Sequence, residues 1–225
     1  MPPPPPQMMP PSFISQISVE LAYTIIAVVL CFAVYLKTKE IYDLTKYNGL
    51  KYFRQAFLFF GLSNLLRFFI IVFMSISIAF DVVLPRLMIP PFFIMLTGYL
   101  STMAILYLIY SSAWEHFDRT RHQIIAHMLA VTLALLSFFT RSHVTLLLLQ
   151  SILLIAALIL NFSARSSHMK ITQTRILNIL ICILWLLNLF FIDSRHAPFQ
   201  IDIAIRAVSL IIFVVIYHKV SKFAK

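Results

Sequence analysis

The sequence predicts an all-α polytopic membrane protein: a bundle of seven transmembrane helices, amino terminus outside and carboxyl terminus in the cytoplasm. Three observations carry this. Hydrophobic residues make up 61% of the 225 residues and charged residues only 12%, against roughly half apolar and a quarter charged in soluble domains. Mean hydropathy is +0.92. The apolar residues also fall into runs of span length: at about 20 residues each, seven spans use about 140 residues and leave only short loops and tails. That composition excludes a soluble enzyme, a disulfide-rich secreted domain and an appended catalytic domain.

The elements follow in order. Residues 1–12 form a disordered Pro-rich tail, with Pro2 to Pro6 consecutive and Pro10-Pro11 following; such a segment has no capacity to build a core. No signal peptide is expected, because a basic leader is missing and the first apolar run is too long. Span one covers about 13–36. A basic loop holding Lys37, Lys39, Lys46 and Lys51 follows, with Asn48-Gly49 as its turn signal. Span two covers about 53–80, and Asp81, Pro85 and Arg86 mark the next loop. Span three covers about 87–114, with Pro90-Pro91 suited to a first helical turn. After the polar stretch Glu115 to Gln123, the chain from Ile124 to Phe162 is almost wholly apolar. A single helix there would exceed about 55 Å, nearly twice the hydrocarbon thickness. It breaks at its one polar cluster, Thr140-Arg141-Ser142-His143, into span four (124–140) and span five (143–162). Span six covers about 176–192, span seven about 201–217, and 220–225 is a short basic cytoplasmic tail.

The basic residues orient the bundle. Of 18 Lys and Arg, 13 gather at alternate ends: Lys37, Lys39, Lys46, Lys51 and Arg54; Arg119 and Arg121; Arg165, Lys170 and Arg175; Lys219, Lys222 and Lys225. Only Arg86, Arg141 and Arg195 lie at the opposite ends, while Arg67 and Arg206 fall within spans. Basic residues favour the cytoplasmic side. Treating 124–162 as one span would destroy the asymmetry. Tyr42, Tyr47, Tyr52, Tyr107, Tyr110, Trp114 and Tyr217 cluster near the inner ends and match an interfacial aromatic belt. The net charge of +10 is accounted for by this orientation, so no nucleic-acid partner is expected.

Ionisable residues at membrane depth are the candidates for chemistry, since each costs about 2.5–3.5 kcal/mol even on insertion scales. Arg67 lies near the middle of span two, with Asn64 three residues before it on the same face. Glu20 is about two turns inside span one. Asp202 precedes Arg206 by four residues in span seven and can pair with it. Glu20, Asn64, Arg67, Asp202 and Arg206 are therefore expected to form one outward-facing network, Glu20 serving Arg67 and Asp202 serving Arg206. A structural ion cluster and a ligand or ion site both fit this pattern. Gln150, Asn178 and Asn188 are expected to hydrogen-bond between helices. Thr97, Tyr99, Ser101 and Thr102 make span three locally polar, Gly98 permits close approach, and Trp185 belongs to the core.

Catalytic and cofactor signatures are missing. With only Gly49, Gly61 and Gly98, neither a glycine-rich phosphate loop nor a G-x-S-x-G elbow can be built. No span carries a pair of acids for intramembrane proteolysis. A retinal Schiff base needs a lysine deep in span seven, where Lys219 and beyond lie at the edge. Asp118-Arg119 is only superficially like the receptor acid–arginine motif, because span seven has no Asn-Pro-x-x-Tyr. Cys31 and Cys182 read as small buried hydrophobes. Glu115, His116, Asp118 and His122 are metal-capable, but they sit in an ordinary mixed-charge inner loop, and no metal or cofactor is expected. Ser63 to Phe69 echoes Trp185 to Phe191, as an internal repeat of a transporter would.

The segment Lys51-Tyr52-Phe53-Arg54-Gln55-Ala56-Phe57-Leu58-Phe59-Phe60, with Arg67 downstream, resembles a stretch in small uncharacterised archaeal multipass membrane proteins. The resemblance covers the first loop and span two and implies no activity. Two function classes remain. One is a non-enzymatic cell-membrane module, a sensor or an accessory or scaffold subunit, whose basic inner face meets a protein partner or anionic lipid. The alternative is a small-solute or ion transporter that uses the charge network.

Overall fold

A computed structural model describes residues 11–79, 89–112, 114, 120–140, 143–163, 169–191 and 199–223. Among them are seven helices: α1 (Pro11–Thr45), α2 (Asn48–Ala79), α3 (Ile89–Ser112), α4 (Thr120–Thr140), α5 (His143–Ser163), α6 (Met169–Phe191) and α7 (Phe199–Phe223). The described residues are all helical apart from short connections. Five apolar stretches are long enough to cross a membrane: Ser15–Thr45, Asn48–Ser77, Phe92–Ser112, Arg121–Thr140 and Gln200–Lys222. The apolar parts of α5 and α6, Val144–Leu160 and Ile176–Asn188, are shorter.

Buried residues recur at three- and four-residue steps, which keeps one seam of each helix facing its neighbours. On α1 the seam is Tyr23, Ala27, Cys31, Val34, Thr38 and Ile41; on α7 it is Arg206, Ser209, Phe213, Ile216 and Val220. On α4 the seam is small, with Ala126, Ala130, Ala134 and Ser137, so this helix can lie close to its neighbour. α3 is different: Met103 to Tyr110 are buried without interruption. A helix buried all round belongs at the centre, and α3 packs on α2, α4, α5 and α6. Around it α1 lies between α2 and α7, and α7 returns to α6. Phe60 on α2 fills the space between these neighbours, with ring centroids 4.4 Å from Trp185 of α6 and 5.8 Å from Phe213 of α7. Trp185 is thus a core residue, as its apolar surroundings in the sequence implied. Gly61 and Gly98 mark close approaches: a Cβ at Gly61 would lie 3.1 Å from Cβ of Cys31, and one at Gly98 would lie 3.2 Å from the Leu146 methyls.

Interhelical polar contacts fall where expected. Nε2 of Gln150 on α5 donates to Ser101 and, at 3.4 Å, to Thr102 on α3. Nδ2 of Asn178 on α6 donates to Ser112 of α3 at 2.8 Å. Cys31 and Cys182 are buried free thiols.

Three expectations change. The basic loop from Lys37 to Lys51 is mostly helix. α1 continues to Thr45, its extension carrying the Lys37–Glu40 pair at 2.6 Å and the Asp43–Lys46 pair at 3.9 Å. Charged straight-chain residues are good helix formers; they end an apolar span without ending the helix. At 1.5 Å per residue, α1 is about 52 Å long, well beyond a hydrocarbon core of about 30 Å. Second, Asn48-Gly49 is not the turn but the start of α2. The reversal falls at Lys46-Tyr47, where Lys46 has φ 52° and its N–H donates to the Tyr42 carbonyl at 2.8 Å, closing α1 in a left-handed cap. Third, Tyr52, Tyr107 and Tyr110 are buried within the bundle instead of lying in a lipid-facing belt. Tyr52 stacks on Tyr107 at 6.2 Å and meets Tyr110 edge-on at 5.8 Å.

Of the Pro-rich tail expected over 1–12, Pro11 and Ser12 open α1, and the basic tail expected from 220 continues α7 to Phe223; residues 1–10, the Asp81–Arg86 loop, Glu115 to Arg119, Arg141-Ser142, Arg165, Arg195 and Lys225 lie outside the described residues. α4 ends at Thr140 and α5 begins at His143, on either side of the polar cluster predicted to divide them, and the two helices pack on each other.

A charge and tyrosine network at one end of the bundle

Four helices bring polar groups together at the end where α1 and α7 begin. Arg67 reaches from α2 to Glu20 on α1: its Nε and a terminal nitrogen donate to the same carboxylate oxygen at 3.1 and 2.7 Å. On α7, Arg206 donates through Nε to Oδ2 of Asp202 at 3.0 Å, with a terminal nitrogen 2.9 Å from that oxygen. Both carboxylates are thus paired, each with the arginine its position predicted. Their surroundings differ. The Arg206 and Asp202 side chains are 7% and 12% exposed, while those of Arg67 and Glu20 are 22% and 28% exposed. Arg206 owes its burial to the α7 seam, whose next members are Ser209 and Phe213.

Tyr23 packs against the Arg206 pair, and sequence reasoning missed it. It lies one turn after Glu20 on the buried seam of α1. Its hydroxyl donates to Oδ1 of Asn188 on α6 at 2.8 Å. The guanidinium carbon of Arg206 stands 5.6 Å from its ring centroid, within cation–π range. Asn188 is fixed in turn by its own Nδ2, which donates to the Leu184 carbonyl at 2.8 Å. The available signal was the three-residue step from Glu20, which puts both side chains on one helical face.

Asn64 is placed differently from expectation. It is buried beside the network, but its Nδ2 donates to the Phe60 carbonyl one turn back in α2, at 3.0 Å. A short amide side chain within a helix meets its own backbone more readily than a partner on another helix. Sharing Arg67's face does not make it a member of the network's hydrogen bonding.

Chemically, the arrangement offers two guanidinium–carboxylate pairs, one of them flanked by a phenol that an amide holds. Among the described residues no group of three or more His, Cys, Asp and Glu comes together. Of the metal-capable loop, Glu115, His116 and Asp118 lie outside the described residues, while the His122 carbonyl accepts from the Tyr110 hydroxyl at 2.7 Å.

Over 98% of its own length and 98% of the other chain, the protein is 31% identical to an uncharacterised protein of Archaeoglobus fulgidus. The two belong to one family. The resemblance to uncharacterised archaeal proteins that the Lys51–Phe60 segment and Arg67 suggested therefore extends over nearly the full length of the chain. No protein-family model and no solved structure matches it.

Proposed function

We propose that this family member is a non-enzymatic integral membrane module of the cell membrane. Its seven helices all span, with the amino terminus outside and the carboxyl terminus in the cytoplasm. It acts as a sensor or as an accessory or scaffold subunit, and its basic cytoplasmic face meets a protein partner or anionic lipid. The observation that carries this reading is the pairing of the charges: each intramembrane arginine meets a carboxylate, and Arg206 also faces the ring of Tyr23, whose hydroxyl is held by Asn188 of α6. Groups committed to one another fix helix positions and leave little capacity for a passing solute.

A second reading, transport of a small solute or ion, takes support from the partial exposure of Glu20 and Arg67. A flux measurement in proteoliposomes, using protons, sodium and potassium as probes under an imposed potential, separates the two. The module reading expects the same flux in protein-containing and empty vesicles. Flux present in the native chain and lost in Glu20→Gln and Arg67→Gln would replace it with transport.

A further inference from the structure

At the opposite end from the charge network, where α1 ends and α2 begins, Arg54 has no acidic partner among the described residues. Arg54 inserts its guanidinium between two tyrosines of α1, with Cζ 5.6 Å from the Tyr35 centroid and 5.3 Å from that of Tyr42. Tyr35 and Tyr42 are seven residues apart and so share a face. Its Nε is closed off from solvent and meets no acceptor among the described residues. The acids nearest in sequence on α1 are engaged elsewhere, Glu40 with Lys37 and Asp43 with Lys46. An arginine keeps its charge at any accessible pH, so this is a held cation that no acid among the described residues neutralises.

Its setting is rigid and positive. Lys51 lies one turn before Arg54 on the same helical face and forms no ion pair among the described residues. The reversal into α2 is pinned by α3: Ser111 donates to the Gly49 carbonyl at 3.0 Å, and Trp114 Nε1 donates to the Tyr47 hydroxyl at 2.8 Å. The first turn of α2 carries no acid, so the helix dipole adds to the positive potential there. Arg54 follows Phe53, the first residue of the apolar run. That is the depth of lipid headgroups, and Tyr35 and Tyr42 present the amphipathic rings suited to it.

We propose that Arg54, with Lys51, binds the phosphate of an anionic phospholipid headgroup, with Tyr35 and Tyr42 holding the guanidinium edge-out toward it. The inference rests on the reading above, which assigns this end of the bundle to the cytoplasmic leaflet, and it narrows that reading's diffuse basic face to one defined site. Planar guanidinium donors fit phosphate oxygens in pairs, which lysine cannot reproduce.

The test is a titration of the full chain in neutral detergent with short-chain phosphatidylglycerol, followed by thermal unfolding. Phosphatidylcholine and inorganic phosphate serve as separate arms, and no orientation in a bilayer is needed. Phosphatidylglycerol should stabilise the native chain saturably, while phosphatidylcholine and inorganic phosphate do so at no comparable concentration. Arg54→Gln should raise the half-saturating concentration about tenfold, the loss of one strong charge-assisted contact. Arg54→Lys should raise it severalfold, which keeps the test open should the glutamine variant fail to fold. Arg121→Gln, which removes a cation from α4 and is remote from the clamp in sequence, should leave the titration as in the native chain. Equal losses in the Arg54 and Arg121 variants would reduce the effect to diffuse electrostatics and overturn the site. So would an Arg54→Lys titration matching the native one. Inorganic phosphate acting as well as the lipid would overturn the lipid assignment. Failure of the orientation would appear in surface labelling and leave this titration unchanged.

Discussion

At the scale of single residues, stranding a charge costs more than removing a pair. Arg67 is a permanent cation whose partner is Glu20, so Glu20→Gln leaves a guanidinium at membrane depth with its carboxylate gone. Each single substitution, Glu20→Gln or Arg67→Gln, should destabilise by several kcal/mol, and the double substitution by less than their sum. Thermal unfolding in detergent across the double-mutant cycle measures this, and additive effects would dissolve the pairing. Tyr23→Phe keeps the ring that Arg206 faces but removes the donor to Asn188. It should cost about 1–3 kcal/mol by leaving a buried amide oxygen unpaired, and Tyr23→Leu should cost more because the cation–π contact goes too. An unchanged unfolding midpoint for Tyr23→Phe would remove the phenol from the network. The charged members of this site were legible in the sequence because an arginine or carboxylate inside an apolar run is conspicuous. Tyr23 was not, because a tyrosine is unremarkable in such a run and its role depends on which face of α1 meets α6 and α7. Asn64 misled for the complementary reason: spacing places a side chain on a face but does not choose between its own backbone and a neighbour.

At the scale of elements, hydropathy reports where an apolar environment begins and helical hydrogen bonding reports where the helix begins, and the two differ most at the α1–α2 junction. The charged extension of α1 is helical because its i,i+3 pairs and straight side chains support that conformation. The α1–α2 turn escaped the glycine signal because its left-handed residue is Lys46 and not Gly49. A left-handed conformation costs a side-chain-bearing residue about 1–2 kcal/mol, and glycine regains part of that after its greater unfolded-state entropy is deducted. Lys46→Gly should therefore stabilise by about 0.5–1 kcal/mol, and Lys46→Val should destabilise. Unfolding midpoints of the two variants in one detergent check this; a destabilised glycine variant would mean that Lys46's contacts with Asp43 and Tyr42 outweigh its backbone strain. The division of the long apolar stretch into α4 and α5 was readable because length alone forbade one helix. The central place of α3 was not, since an all-round apolar helix looks the same in sequence whether neighbours or lipid surround it.

At the scale of the whole molecule, the charge distribution predicts which end faces the cytoplasm. The ends of α1 and α7 and the start of α2 carry Lys37, Lys39, Lys46, Lys51, Arg54, Lys219 and Lys222. The intramembrane network of Glu20, Arg67, Asp202 and Arg206 lies toward the other end. Translocating the basic end would move the excess of lysine and arginine against the bias that sets membrane topology. A cysteine introduced near Pro10 should therefore react with an impermeant maleimide on intact cells, and one near Lys222 only after permeabilisation. The native chain provides a clean background, because Cys31 and Cys182 are each only 1% exposed. A third probe at Ser142, between α4 and α5, tests the span count independently of the ends. If both helices cross, Ser142 is labelled from outside, on the same side as Pro10. If α4 and α5 act as one bent segment with six crossings in all, the probes at Pro10 and Lys222 must fall on the same side and Ser142 must be inaccessible. Labelling at Lys222 but not at Pro10 in intact cells would reverse the orientation and move the charge network to the cytoplasmic half, while the ion pairs themselves would stand.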